Sequence, residues 1–166
     1  MDEVSKIGFG GGCHWCTEAV FKSLKGVENV EQGFIAPAEN IEAFSEAVIV
    51  YFNQDFIGLK DLITIHLHTH QSTKNHSMRS KYRSAIYFFE AEQERLSKQY
   101  LNEIQRDFKE ILITEVLSFG LFTPSEERFQ NYYFKDKEKP FCQRHISPKI
   151  GLLMQKFSKH INLNTI

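Results

Sequence analysis

Apolar and polar residues alternate in several short segments of this 166-residue chain and recur at helical spacing in others. In segment 43–52, Glu46, Val48 and Val50 share one face of an expected strand, and the residues between them share the other. In segment 59–68 the apolar residues are three or four positions apart, which indicates an amphipathic helix. The whole pattern predicts strands at about 4–9, 27–35, 43–52, 82–89 and 111–117, and helices at about 14–25, 59–68, 91–110 and 148–160.

The first ninety residues therefore follow a β-α-β-β-α-β order, which is typical of the ferredoxin-like fold. We predict a ferredoxin-like two-layer α/β sandwich over about 4–118, with an extra C-terminal strand and helices packed around it. We predict one domain over 1–166, in which 119–166 is a helical and coil extension. This topology brings the start of the first helix next to the third strand, so Cys13 and Glu46 should lie close together.

Composition restricts the classes of partner. Apolar residues make up 42% of the chain, enough for one core, and the formal net charge is −1. This charge provides no basic surface for nucleic acid or for an anionic membrane. No apolar run reaches the roughly 20 residues that span a bilayer, and the first residues do not form a signal segment. We therefore expect a cytoplasmic monomer that binds neither nucleic acid nor membrane.

Two of the three cysteines lie in segment 10–16, which reads GGGCHWC and joins the first strand to the first helix. A cysteine at a helix N-terminus faces free backbone N–H groups and the positive end of the helix dipole. Both favour the thiolate, so Cys13 is the candidate nucleophile. Cys16 follows at a spacing that brings the two Cβ atoms near disulfide range, and it is the candidate partner. The Cys-x-x-Cys motif alone is also compatible with a metal site or an inert helix residue.

Glu46 is the second residue that suggests chemistry. On the same strand face as Val48 and Val50, an unpaired ionised carboxylate costs several kcal/mol. Such a group favours its protonated form, which a general acid needs; the alternative is a solvated carboxylate at the strand end. Trp15, the only tryptophan, is either an apolar wall for a methyl group or a core anchor of the first helix.

Histidines and residues near the C-terminus leave alternatives open. His66, His68 and His70 would share a face only on a strand, so the predicted helix argues against a zinc or copper site, and we predict no metal. Tyr82 begins the fourth strand and either offers a phenol donor to a bound oxygen or simply packs. Cys142 lies in a polar tail, where it is either an idle surface thiol or a mobile second resolver of an oxidised nucleophile.

Taken together, these segments resemble the peptide methionine sulfoxide reductase A family. Segment 12–16 is similar to the family signature Gly-Cys-Phe-Trp-Cys, and 44–48 is similar to its acid-bearing His-Ala-Glu-Ala-Val strand. Segment 82–87 matches the family's Tyr-Arg-Ser-Ala-Ile-Tyr strand. Residues 130–132 and Cys142 resemble its Gln-x-Tyr motif and later cysteine. The resemblance runs along most of the chain in the right order.

Three departures from the family pattern concern the substrate pocket. His14 stands where the family usually has a phenylalanine that lines the pocket for the substrate methyl group. Segment 36–43 is short and lacks the family's loop tyrosine, an expected donor to the sulfoxide oxygen. Ser77 stands at the place of the family's aspartate. The resemblance therefore supports the reaction chemistry more strongly than the identity of the substrate.

The resemblance implies thiol-dependent reduction of the S epimer of methionine sulfoxide, free or in peptides, in the repair of oxidised proteins. Cys13 would attack the sulfoxide sulfur while Glu46 protonates the oxygen. Tyr82 would help to hold that oxygen. His14 and Trp15 would bind the part of the substrate that carries the methyl group.

Cysteine chemistry would then complete the cycle. Cys16 would condense with the sulfenic acid of Cys13, because closing a short loop costs less entropy than bringing in a distant tail. Cys142 would serve as an alternative resolver or a relay. Thioredoxin or a similar dithiol would reduce the resulting disulfide, and no bound cofactor would be needed.

Two other functions fit parts of the sequence. Small soft-metal-binding domains share the β-α-β-β-α-β order and carry Cys-x-x-Cys at the same turn, where Cys13 and Cys16 would hold the ion with His14. Those domains are much shorter, and they would need neither Trp15 nor Glu46. The missing aspartate and loop tyrosine would instead suit a non-catalytic binder of oxidised methionine peptides.

Overall fold

The structure, a computed structural model, describes residues 4–162. Five strands lie in this range: β1 (Val4–Gly10), β2 (Val27–Pro37), β3 (Ser45–Asn53), β4 (Ala85–Phe88) and β5 (Glu115–Pro124). Its α-helices are α1 (His14–Lys22), α2 (Leu59–His68), α3 (Ala91–Ile104), α4 (Tyr132–Lys135) and α5 (Ser147–Lys156). Shorter turns are the 3₁₀ segments Gln105–Asp107, Glu127–Phe129 and Ser158–His160 and the π-helical turn Cys142–Ile146. None of the helices in the described range has the length and apolar character to cross a membrane.

The strands form one closed barrel in the order β1-β3-β2-β5-β4, and β4 returns to pair with β1. Neighbouring strands run antiparallel except β4 and β5, which are parallel. A closed sheet has no free edge along which backbone N–H and C=O groups remain unpaired.

The predicted ferredoxin-like two-layer sandwich is wrong, although the first ninety residues do follow the β-α-β-β-α-β order. The reason is β5, which has 10 residues and pairs with β2 on one side and with β4 on the other. These two pairings close the sheet, whereas an open sandwich would leave both edges free. Because Gly33 pairs with Pro124, residues 119–124 belong to the barrel and not to the predicted extension.

The predicted bounds of the third helix and the fifth strand are also wrong. The helix α3 ends at Ile104, and the Gln105 side chain holds the chain that follows. Its Nε2 donates to the Glu110 carbonyl at 2.9 Å, and its Oε1 accepts the Leu112 N–H at 2.9 Å. These bonds keep the segment irregular, so Ile111, expected in a strand, is exposed and lies before β5.

Alternate strand residues enter two separate apolar clusters. Val48 and Val50 join the larger cluster between the barrel and the helices. The opposite faces of the strands form the smaller, interior cluster of Ile35, Ala47, Ile49, Ala85 and Tyr87. Gly8 faces this interior, where an added Cβ would lie 2.9 Å from Tyr87 Cβ and 3.0 Å from Ile35 Cδ1. The Tyr87 ring fits the barrel because residue 8 has no side chain.

The chain after the barrel packs back onto the rest of the protein. Leu24, just after α1, forms a β-bridge with Ile161. Ile146, Ile150 and Leu153 are buried in the larger apolar cluster. Within the described residues, the predicted helical and coil extension therefore contributes buried side chains to the core.

We expect Gly8→Ala to lower the free energy of unfolding by about 1–3 kcal/mol, because the added methyl group forces Tyr87 to shift. Gly151→Ala in α5 is the matched control, since an added Cβ there meets no atom within 4 Å. This control should be neutral or stabilising by about 0.5–1 kcal/mol. Urea unfolding followed by circular dichroism measures both, and equal midpoints would contradict this packing of the barrel interior.

Candidate active site

A glycine turn brings three parts of the chain to the start of α1. A Cβ at Gly10 would lie 2.9 Å from the Arg83 carbonyl oxygen and 3.0 Å from the Glu46 carbonyl oxygen. A Cβ at Gly11 would overlap the His70 ring. Because neither glycine has a side chain, all three neighbours approach the turn closely.

Cys13 caps the N-terminus of α1, as the sequence predicts. Its carbonyl accepts the backbone N–H groups of Cys16 and Thr17, both at 3.1 Å. Cys13 is half-buried, Cys16 is buried, and both are free thiols. The candidate nucleophile and its candidate partner therefore lie together in the first turn of the helix.

A hydrogen bond couples the two thiols. This bond and burial raise the pKa of Cys13, whereas the same bond lowers the pKa of Cys16 against the effect of burial. The two thiols therefore titrate as a coupled pair, and the helix N-terminus alone does not decide which sulfur ionises first. The thiolate at Cys13 stays a prediction.

Glu46 contacts the first turn of α1, so the predicted proximity to Cys13 is confirmed at the level of the backbone. Its Oε1 accepts the His14 backbone N–H at 3.1 Å, and its side chain is almost fully buried. The His14 ring lies beside the same oxygen, with Nε2 at 3.4 Å from Oε1. At the outer side of the carboxylate, Lys81 Nζ lies 3.7 Å from Oε2 on an exposed side chain.

The other nitrogen of His14 determines where a proton can sit. Nδ1 lies 2.7 Å from the Gly33 carbonyl oxygen, which can only accept, so Nδ1 carries a proton. A neutral ring in this tautomer would turn the lone pair of Nε2 toward the carboxylate of Glu46, which is a repulsive contact. A proton on either atom would make the contact attractive, so the two groups are placed to share a proton.

A cavity of about 350 Å³ opens beside the two thiols. Tyr82 lines it together with Cys13, while His14 and Trp15 lie outside its lining. Of the three predicted substrate-binding residues, only Tyr82 therefore faces this space. Other lining residues come from the loop after α2 and from the C-terminal segment, among them His70, Met78, Phe141 and Lys149.

Trp15 packs against aromatic residues that follow the barrel. Its ring stacks on Tyr132 at a centroid distance of 4.1 Å and on Phe129 at 5.3 Å. Phe141 meets it edge-on at 5.2 Å. Of the two interpretations of Trp15 that the sequence leaves open, these contacts support the packing role.

Cys142 is buried in the core, so the expectation of a mobile tail thiol is wrong. It begins the π-helical turn Cys142–Ile146 and has no accessible surface. Burial also raises its pKa, which keeps it a thiol. Solvent reaches Cys142 only if this turn opens locally.

Arg79 organises the polar loop between α2 and β4, and the sequence pattern does not mark it. Its guanidinium donates to the carbonyls of Gly11 at 3.0 Å and Tyr82 at 2.9 Å. It also donates to the carbonyls of Gln71 and Lys74. Arg79 thereby joins the loop to the glycine turn, and backbone partners of this kind leave no signature in a sequence.

Glu18 is a second residue that sequence reasoning missed. Its Oε1 accepts the Gln32 side-chain N–H at 2.8 Å and the Tyr132 backbone N–H at 3.3 Å, and Oε2 accepts the Asn131 N–H at 3.0 Å. Lys22 Nζ lies 3.5 Å from Oε2. Asn131 has a left-handed φ of 57°, and it and Tyr132 both donate a backbone N–H to this carboxylate. The sequence signal that could have identified Glu18 is a charged residue on the apolar face of α1.

Comparison with known proteins identifies the family. The sequence profile of the family described as "Peptide methionine sulfoxide reductase" matches residues 5–161. The chain belongs to this family. The MsrA of Pasteurella multocida is 33% identical over 165 residues, which cover 91% of this chain and 95% of that protein. The MsrA of Saccharolobus solfataricus is 28% identical over 169 residues, which cover 93% and 96% of the two chains.

Several solved structures share the fold. Reduced Mxr1 of Saccharomyces cerevisiae has a TM-score of 0.74 at 20% identity, covering 86% of this chain and 91% of that one. Methionine sulfoxide reductase A of Corynebacterium diphtheriae has a TM-score of 0.71 at 20% identity, with 80% and 75% covered. A further Mxr1 structure, in complex with Trx2, has a TM-score of 0.63 at 19% identity, with 78% and 85% covered.

Family membership makes this chain an oxidoreductase that reduces methionine sulfoxide with thiols and without a prosthetic cofactor. It does not favour the soft-metal domain or the non-catalytic binder. Within residues 4–162, no group of three or more His, Cys, Asp or Glu side chains is arranged to hold a metal ion. His66 and His68 lie on α2, and burial holds the pKa of His66 well below its usual value and lowers that of His70 to about 3.

We expect Glu18→Ala to cost about 3 kcal/mol of stability, because it leaves the partly buried backbone N–H groups of Asn131 and Tyr132 and the buried Gln32 amide without this acceptor. It should also loosen Tyr132 from Trp15. Since Trp15 is the only tryptophan, its fluorescence should shift to longer wavelength in the folded variant.

The exposed Glu28 provides the control, and Glu28→Ala should change stability by less than about 0.5 kcal/mol. Urea unfolding and fluorescence spectra of both variants are the measurements. An unchanged Trp15 spectrum in Glu18→Ala would contradict the role of Glu18 in holding the aromatic segment.

Proposed function

We propose that this chain reduces the S epimer of methionine sulfoxide, with Cys13 as the nucleophile and Glu46 as the general acid. One observation carries the proposal: the Glu46 carboxylate accepts the backbone N–H of His14 at 3.1 Å, and His14 directly follows Cys13. Glu46, on β3, is thus held against the helix turn that carries the sulfur nucleophile. Cys13 lines a cavity of about 350 Å³, whereas Glu46 lies behind its lining.

Each participant in the first step has a partner for its proton. As Cys13 attacks the sulfoxide sulfur, its proton passes along the hydrogen bond to Cys16. Glu46 in its acid form gives its proton to the sulfoxide oxygen, on which negative charge develops. Tyr82, in the cavity lining, donates its phenol O–H to the same oxygen.

The balance of this step is a transfer of one oxygen atom. Methionine sulfoxide gains two electrons and leaves as methionine, while Cys13 loses two electrons and becomes a sulfenic acid. Cys16 then condenses with it: a bond forms between the two sulfur atoms, the sulfur–oxygen bond breaks, and water leaves. Cys16 is the favoured resolver because it lies in the same helix turn as Cys13, and closing this short loop costs less entropy than bringing in the distant Cys142.

The disulfide returns to the dithiol through an external reductant, for which we propose thioredoxin. The structure of the related Mxr1 in complex with Trx2 supports this assignment. A cytoplasmic location is part of the same proposal, because a dithiol cycle of this kind needs a compartment that keeps thiols reduced.

We expect the protein to turn over the S epimer of N-acetylmethionine sulfoxide, with thioredoxin or dithiothreitol, and to leave the R epimer unchanged. Chromatography of the N-acetylmethionine formed measures both. Cys13→Ser should abolish turnover, and Glu46→Gln should lower kcat by about 10²- to 10⁴-fold. Glu42→Gln, an exposed carboxylate before β3, is the matched control. Equal rates for both epimers, or an active Cys13→Ser variant, would overturn the proposal.

The order of the cysteines can be tested in a single turnover without reductant. We expect Cys16→Ser to release methionine once and to accumulate a Cys13 sulfenic acid, which dimedone traps for mass spectrometry. Cys142→Ser should form the intramolecular disulfide at the wild-type rate. The opposite pattern, with a normal disulfide in Cys16→Ser and none in Cys142→Ser, would assign resolution to Cys142.

A further inference from the structure

Lys149 brings a positive charge from the C-terminal segment to the dithiol. It lies on α5, is half-buried, and lines the same cavity as Cys13 and Cys16. Its Nζ donates to the carbonyl of Thr69, the residue that caps the C-terminus of α2. This bond holds the ammonium group at the negative end of one helix dipole, facing thiols at the positive end of another.

The charge of Lys149 has no carboxylate partner in the described part of the chain. None of the ion pairs found within residues 4–162 includes it, and the described lining of the cavity holds neither Asp nor Glu. One carbonyl satisfies one of the three N–H groups of an ammonium. A partly buried cation with so little compensation is costly unless an anion forms beside it.

We propose that Lys149 is a positioning residue that acts through Cys16: its ammonium group is the counterion of the Cys16 thiolate and prepares that thiolate for attack on oxidised Cys13. This inference rests on the proposed role of Cys16 as the first resolving thiol. No residue of the Cys-x-x-Cys segment itself supplies a fixed positive charge, so the C-terminal segment provides what the motif lacks.

The step that Lys149 assists balances without a further reactant. Cys16 releases the proton that it received from Cys13, and the resulting thiolate donates an electron pair to the Cys13 sulfur, forming the sulfur–sulfur bond. The sulfur–oxygen bond of the sulfenic acid breaks, and the departing hydroxide takes up a proton to become water. The thiolate is the reactive form, so a group that keeps Cys16 ionised raises the fraction of molecules able to react.

The titration of the neighbouring groups agrees with this geometry. Lys149 lowers the pKa of Cys16, and the two thiols in turn oppose the lowering of the Lys149 pKa by burial. The other groups that face Cys16 are Cys13, whose hydrogen bond lowers its pKa, and Cys142 and Glu46, which raise it. His66 and His70, on the α2 side of Lys149, have lowered pKa values and stay neutral, so they add no second positive charge beside the Lys149 ammonium group.

The test is a pH titration of the three cysteines by NMR, with [3-¹³C]cysteine in the full reduced chain. The Cβ shift reports each thiolate without needing access for a reagent, and Cys16→Ser and Cys142→Ser assign the signals. In Lys149→Met we expect the Cys16 titration midpoint to rise by about one pH unit, a tenfold smaller thiolate fraction below it. Lys149→Arg should keep the wild-type midpoint, since it keeps the charge.

Lys156→Met is the matched control, because Lys156 is exposed on the same helix and should leave the midpoint unchanged. Lys149→Gln is the second neutral variant, and circular dichroism establishes that each variant is folded. The Cys16 titration midpoint in whichever neutral variant folds tests the inference, and an unchanged midpoint would overturn it. So would a raised KM for the sulfoxide with an unchanged midpoint, which would assign Lys149 to substrate binding.

This titration needs no sulfoxide, so its failure is distinct from failure of the proposed function. If the S epimer is turned over and the midpoint does not move, the reductase assignment stands and Lys149 loses its role. If the midpoint moves, Lys149 also affects the rate: disulfide formation in a single turnover at neutral pH should be up to tenfold slower in Lys149→Met than in Lys156→Met.

Discussion

The hydrogen bond from the His14 backbone N–H to Glu46 Oε1 is the contact on which the site depends. The first N–H groups of a helix have no acceptor within the helix, and a buried carboxylate needs donors. One bond meets both needs, and it joins α1 to β3 at the residue after Cys13. Since the glycine turn lets β3 approach this closely, the same contact that anchors the helix on the barrel also brings an acid to the thiols.

The residues that follow the barrel complete an environment that the first helix cannot supply. Phe129 and Tyr132 cover Trp15, and Glu18 holds the backbone that carries Tyr132. Lys149 then adds the charge that faces the dithiol. The chemistry-bearing motif lies near the start of the chain, but the polarity and accessibility of its two thiols are determined largely by the end of the chain.

The sequence predicts local structure better than closure and burial. The sequence predicts the bounds of α2 and the contact between the first helix and the strand of Glu46, because apolar spacing and chain order determine them. It does not predict barrel closure, since closure depends on the pairing of β5 with β2 and β4, and such non-local register leaves no pattern within any one strand. Cys142 was misjudged because its polar neighbours in sequence suggested exposure, whereas packing against the core decides it.

The thiol pair shows why a helix-dipole argument alone fails at this site. The dipole favours a thiolate near the first turn, but it does not choose between two thiols that share a proton. The hydrogen bond from Cys13 and the charge of Lys149 lower the pKa of Cys16, while burial opposes them. Which sulfur holds the charge at rest therefore depends on residues outside the Cys-x-x-Cys segment, and the end of the chain supplies the one among them that brings a positive charge to the cavity wall.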